Sequence, residues 1–145
     1  MVLRPDAIRQ RLLRLEEVVS GLEALGDAAA AGAADDRRQR WAVERGLQVG
    51  AEVVLDVGNH ILSAHFGESA QDYEDIIARL GARGVIASSL REELKGLGGF
   101  RNILVHGYLQ LDPIRVAEAL QAAPGRFSRF ATAVRGWLDA LPRGG

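Results

Sequence analysis

Apolar residues recur at intervals of three and four along most of this chain, and no stretch alternates apolar and polar in the manner of a strand. Ile8, Leu12, Leu15, Val18, Val19, Leu22 and Leu25 mark one face of a first helix opened by Pro5-Asp6. Arg9, Arg11, Arg14, Glu16, Glu17 and Glu23 fill the remainder as a solvated face. Residues 26 to 36, rich in Ala but weakened by Gly26 and Gly32, form a connector, and Asp35 or Asp36 is placed to cap the next helix. That second helix is expected from Arg37 to Phe66, with Trp41, Leu47, Val53, Val54, Val57, Ile61 and Leu62 giving a wide apolar surface. A domain of this size struggles to cover so long a surface, so part of it is expected to face a second subunit.

A short helix from Ser69 to Leu80 turns Tyr73, Ile76, Ile77 and Leu80 inward and closes at Gly81 and Gly84. Ser89 to Glu92 has the form of a capping box, for a helix starting between Val85 and Ser89 and ending near Gly107. Asp112-Pro113 starts a helix that reaches about Leu120. After Pro124-Gly125 a last helix takes Phe127, Phe130, Val134, Trp137, Leu138 and Leu141 to the core. The pattern predicts an all-α bundle of about five helices, with residues 1 to 145 forming a single domain.

Composition narrows this picture only a little. A chain of 145 residues builds one core without staples, and the absence of Cys excludes disulfides and thiolate metal sites. No run approaches ~18 apolar residues and the first residues lack a signal-peptide core, so a soluble, cytoplasmic protein without membrane contact is expected. A net charge of −1 argues against broad, non-specific coating of nucleic acid, although a local patch can still bind it. The cations are Arg except for Lys95, and Arg suits bidentate phosphate contacts.

The search for chemistry ends in one stretch. His60 and His65 share no helix face, and no H-E-x-x-H spacing occurs, so neither a metal nor another cofactor is expected. Gly98-Gly99 follows no strand, which removes a phosphate-binding loop, and G-x-S-x-G is absent. On the second helix Glu44, Arg45, Asp56, Asn59 and His60 form either an exposed flank or part of a cleft lining. There remains Gly98-Gly99-Phe100-Arg101-Asn102-Ile103-Leu104-Val105-His106-Gly107-Tyr108. If one helix ran on from Leu90, Arg101 would fall amid Leu90, Leu94, Leu97, Leu104 and Val105, a costly place for an unpaired guanidinium. Asn102 and His106 are four apart, one turn above the other. Read alone, such an Arg–His pair serves structure more readily than catalysis.

The same residues carry a resemblance. Arg101 and His106 match the R-x4-H motif of the HEPN superfamily, an all-helical group of ribonucleases and nucleotide-binding domains. The longer string from Phe100 to Tyr108 resembles the HepT-like branch, the toxins of bacterial toxin–antitoxin pairs. Similarity continues through Trp41 to Gln48 and Asp56 to Leu62, and covers roughly residues 37 to 141. The resemblance implies a HEPN-like bundle that dimerises with the motif at the interface. It assigns Arg101 and His106 as the catalytic pair, Asn102 as the supporting polar residue and Tyr108 as the residue modified by AMP. It implies as partners RNA, either transfer or messenger, and an MntA-like minimal nucleotidyltransferase antitoxin that transfers AMP from ATP to Tyr108.

Such a set can cleave RNA without metal, because RNA carries its own nucleophile, the 2′-OH. An imidazole exchanges protons near neutral pH, and a fixed guanidinium stabilises charge on the pentacoordinate phosphorus. The leading expectation is therefore a metal-independent endoribonuclease toxin. The alternative is a non-catalytic HEPN module that binds nucleotide or docks a nucleotidyltransferase, and a plain helical scaffold stands third.

Overall fold

A computed structural model describes residues 2–29, 36–107, 109 and 111–142. Among them are five helices of ten residues or more and one short one: α1 (Pro5–Ala28), α2 (Arg37–His65), α3 (Tyr73–Ala82), α4 (Ser88–Glu93), α5 (Leu97–His106) and α6 (Pro113–Ala140). The expected all-α bundle is what forms, and no strand occurs among the described residues.

The three long helices make the scaffold, α1 packing on both α2 and α6. Ion pairs Arg9–Asp139 and Arg135–Glu16 tie the start of α1 to the end of α6, so the two run antiparallel. The α1 face read from spacing is the one buried, with Ile8, Leu12 and Leu15 wholly shielded. On α2 the covered residues are Val43, Leu47, Val54, Leu55, Val57, Ile61 and Leu62. One chain thus covers nearly all of the apolar surface for which a second subunit is expected from length alone. The exception is Trp41, which is 64% exposed.

Several boundaries differ from expectation, each for a local reason. Helix α3 begins at Tyr73 rather than Ser69, because the Asp72 side chain accepts from the Asp75 N–H and so sets the cap. The expected helices over residues 112–120 and 125–141 are one. Asp112 caps α6 as anticipated, but α6 then runs through Pro124. A proline inside a helix costs ~3 kcal/mol, and here Leu120, Ala123, Phe127, Phe130 and Val134 form an unbroken buried stripe that offsets it.

The most consequential difference lies before the motif. The helix expected to run from Val85–Ser89 to Gly107 breaks at Gly96, whose φ of +85° is left-handed and suits glycine. No side chain caps α4, so the Ser89–Glu92 capping box does not form. Leu90 and Leu94 are buried in α4 and the turn after it, and share no continuous face with Leu104 and Val105. Arg101 is therefore not stranded on a leucine ridge.

Candidate functional site

Helix α5 is anchored at its start by α3. The Glu74 carboxylate accepts from the backbone N–H of Gly96 at 3.0 Å, of Gly98 at 2.8 Å and of Gly99 at 3.4 Å. A single acidic side chain from another helix thus satisfies otherwise orphaned donors and meets the positive end of the helix dipole. Gly98 permits the close approach: a Cβ there would lie 2.5 Å from the Tyr73 Cβ.

One turn further on, Arg101 points into the angle between α2 and α3. Its Nη2 donates to Glu52 Oε1 at 3.4 Å, its Nη1 donates to Asn102 Oδ1 at 3.3 Å, and its Cζ lies 5.1 Å from the centroid of the Tyr73 ring. The side chain is 19% exposed. The expense of shielding a guanidinium is met inside the chain by Glu52, a residue the sequence pattern does not single out. The pairing is incomplete. Both contacts are long for charge-assisted bonds, neither is bidentate, and the buried Nε finds no acceptor among the described residues. Glu52 Oε1 also accepts from Gln48 Nε2 at 3.2 Å, so its charge is shared.

Asp56 stands one turn beyond Glu52 on α2. Although exposed as a residue, its carboxyl is raised above the usual carboxylate range. Local desolvation is the first cause and the charge of Glu52 the second, while Arg11 and Arg101 pull it back. It belongs to the same electrostatic cluster as Arg101.

His106, in the last turn of α5, is exposed and makes no hydrogen bond among the described residues. It lies ~140° around the helix from Arg101 and ~40° from Asn102. The structure joins Arg101 to Asn102 and leaves His106 apart on the solvent side. Tyr108 lies outside the described residues. The other two histidines have structural employment. His60 Nε2 accepts from the Arg4 backbone N–H at 3.2 Å. Desolvation, with Arg11 and Arg4 nearby, lowers its pKa. His65 packs edge-on against Trp137, with centroids 5.0 Å apart.

The remaining α2 candidates divide. Asn59 is exposed, and its backbone carbonyl accepts from Ser63. Arg45 is exposed on the face that carries Glu52, and Glu44 lines a separate cavity. Sequence reasoning misses Glu52 and Glu74 and takes Tyr73 for a core residue; Tyr73 is 37% exposed and sits under Arg101. The available signal is the stripe Arg45, Gln48, Glu52, Asp56, a polar run at helical spacing along one face of α2. Among the described residues no three His, Cys, Asp or Glu side chains converge as metal ligands, and no helix is long and apolar enough to cross a membrane.

Comparison with known proteins gives this geometry a setting. A family model described as ribonuclease HepT-like matches residues 8–134. The chain is 30% identical over 104 residues to a tRNA nuclease HepT of Aphanizomenon flos-aquae, covering 71% of this chain and 70% of that protein. It is 29% identical over 89 residues to an mRNA nuclease HepT of Shewanella oneidensis, covering 61% and 67%. In fold it is similar to a tri-AMPylated Shewanella oneidensis HEPN toxin solved in complex with an MNT antitoxin. The TM-score is 0.80 at 24% identity, over 92% of this chain and 99% of that one.

Proposed function

Because this chain belongs to the HepT-like ribonuclease family, we propose that it is a metal-independent endoribonuclease toxin acting through Arg101 and His106. The observation that carries the reading is the division of labour among the histidines and around Arg101. Two histidines are structural, while the histidine of the motif is exposed and unpartnered among the described residues. Four residues earlier Asn102 touches a guanidinium that has a buried Nε–H unused and only long, single contacts to its oxygens. A phosphate offers that guanidinium the paired oxygens that Glu52 does not.

In the reaction, the ribose 2′-oxygen attacks the adjacent phosphorus and the bond to the 5′-oxygen breaks. The products are a 2′,3′-cyclic phosphate and a 5′-hydroxyl. His106 removes the proton from the nucleophile or supplies one to the leaving oxygen. Arg101 stabilises the added charge on the equatorial oxygens, and Asn102 holds the guanidinium in place. No metal enters. One imidazole per chain serves poorly as both base and acid in a single turnover, so the active unit is a homodimer presenting two copies of the motif to one cleft.

Control comes from a nucleotidyltransferase antitoxin that transfers AMP to Tyr108. A phosphate attached two residues past His106 competes for Arg101 and carries its nucleotide over the cleft. The support is the tri-AMPylated toxin of similar fold and the presence of Tyr108 two residues past the R-x4-H motif. Expression of the protein alone is expected to arrest growth, and co-expression of a cognate MntA-like nucleotidyltransferase to restore it, with AMP on Tyr108 by mass spectrometry and none on Tyr108→Phe. Harmless expression with no RNA cleavage by the purified protein would instead favour the non-catalytic binding module. A monomer by light scattering at micromolar concentration would overturn the dimer.

A further inference from the structure

Helix α2 carries one stripe past the site. Arg37, Trp41, Arg45, Gln48 and Glu52 fall within an arc of about 80°. Its lower end, Glu52, holds Arg101. Its upper part, from Trp41 about 16 Å away to Arg37 about 22 Å away at 1.5 Å per residue, is unlike a protein core or an ordinary solvated face. Trp41 is 64% exposed, and the Arg37 Cζ lies 5.9 Å from its ring centroid. Both line a cavity of about 460 Å³ between the end of α1 and the starts of α2 and α6. Arg40 lines it as well, and so does Leu111, five residues past His106.

Among the described residues the arginines there form no ion pair, although the Asp36 carboxylate caps the Arg38 N–H and Glu44 lines the same cavity. Elsewhere about half of the arginines pair with carboxylates, as in Arg9–Asp139, Arg79–Asp75, Arg83–Glu68 and Arg129–Glu93, and Arg4, Arg11, Arg115 and Arg126, unpaired among the described residues, have no exposed tryptophan beside them. Arg37, Arg38, Arg40 and Arg45 have no carboxylate within ion-pair distance among the described residues. Three of them occupy the first turn of α2, where the helix dipole is positive and the first turn holds no acid. Arg37 rests over the Trp41 ring, and none of the four forms an ion pair among the described residues. An anion would gain from all of them, and a flat aromatic face beside them adds a surface for a base. The cavity floor is apolar, with Leu25, Val43, Val116 and Leu120, and its rim carries Arg37 and Arg40, a pairing that suits an occupant with both flat apolar faces and negative charge, as a nucleotide strand has.

We propose that Trp41, Arg37, Arg40 and Arg45 form a track for single-stranded RNA leading away from Arg101, with a base of the substrate stacked on Trp41 and its phosphates on the arginines. This rests on the ribonuclease reading and adds a binding site to it. The track makes affinity depend on substrate bases several nucleotides from the cut, and it confines the salt dependence to a defined set of arginines.

The test uses the full-length protein with His106→Ala, which binds without cutting, and a fluorescent single-stranded RNA oligonucleotide. RNA is expected to quench the fluorescence of Trp41, and Trp41→Ala to weaken binding about tenfold. Replacing Arg37 and Arg40 by Gln is expected to reduce the slope of log affinity against log salt by about 0.7 for each phosphate no longer neutralised. Circular dichroism checks that each variant is folded. In the cleaving protein the same substitutions are expected to raise KM. Intact cleavage with unchanged affinity and no quenching overturns the track and leaves the ribonuclease reading standing. Absence of RNA binding and cleavage in the parent protein overturns both. Unchanged RNA affinity, with loss of self-association or of nucleotidyltransferase binding on Trp41→Ala, overturns the track in favour of a protein interface.

Discussion

At the first turn of α5, three backbone N–H groups converge on the Glu74 carboxylate and Gly98 lies against Tyr73. Arg101, the next turn along, is drawn toward Glu52. At the last turn of the same helix His106 is exposed and its side chain makes no hydrogen bond among the described residues. One end is fixed by two neighbouring helices, and the other is left free. The contrast fits two chemical jobs. A guanidinium that must meet developing charge is most useful when its direction is set beforehand. An imidazole that must exchange protons with substrate needs access to it. The lesson is that a short helix can be anchored at its root and exposed at its tip, the division the proposed chemistry calls for.

At the fixed end the largest expected effects fall on Arg101 and its partner. Arg101→Ala is predicted to lower RNA cleavage roughly 10²–10³-fold, the usual loss for removing one donor to a transition-state anion. Arg101→Lys is predicted to recover little, because a lysine lacks the guanidinium fork. Equal activity in Arg101→Lys and the parent enzyme would show that position and planarity are irrelevant here. Glu52→Gln is predicted to cost about tenfold in cleavage, on the scale of one hydrogen bond to a charged group. Single-turnover rates would place that loss in the chemical step rather than in binding. An unchanged rate would mean that Arg101 does not depend on Glu52 for its direction.

Smaller effects probe the root itself. Gly98→Val is predicted to destabilise the fold by about 1–3 kcal/mol, since its Cβ must displace Tyr73. Glu74→Ala is predicted to cost ~1 kcal/mol as a lost helix cap and to lower activity further by loosening α5. Urea denaturation measures both, and a neutral Glu74→Ala would break the claim that α3 anchors the site.

The smallest expected effect lies at His60, the histidine employed in structure. Its pKa is lowered in the folded state, so its stabilising contribution is present above pH ~6.5, the unfolded value, and is lost as pH falls through the lower folded value. The protein is predicted to lose some thermal stability between pH 7 and pH 5, and His60→Gln to flatten that dependence. Parallel profiles for the two would remove His60 as a source.

The scaffold is readable because burial follows periodicity: the α1 face from Ile8 to Leu22 and the α6 stripe from Phe127 to Val134 are buried where spacing puts them. The N-caps Asp36 and Asp112 are readable because they act within two residues of themselves. What local rules miss is tertiary. Burial of Phe127 and its neighbours carries α6 through Pro124, whose local signal is to stop. Gly96, with its left-handed φ, divides a helix that pattern alone draws as continuous. At the site Arg101, Asn102 and His106 are visible as an unusual string, and the need for a partner to Arg101 comes from cost alone. That the partner is Glu52, 49 residues away in sequence, is decided by how α5 lies on α2.

The central claim is that Arg101 and His106 cut RNA with no metal. It is tested most directly by incubating the purified protein and His106→Ala with RNA in EDTA, then identifying the new ends. The account predicts cleavage by the parent protein, products ending in 2′,3′-cyclic phosphate and 5′-hydroxyl, and a loss on the order of 10²–10⁴-fold in the variant. Cleavage that requires Mg²⁺, yields 3′-hydroxyl ends or survives in His106→Ala would contradict it.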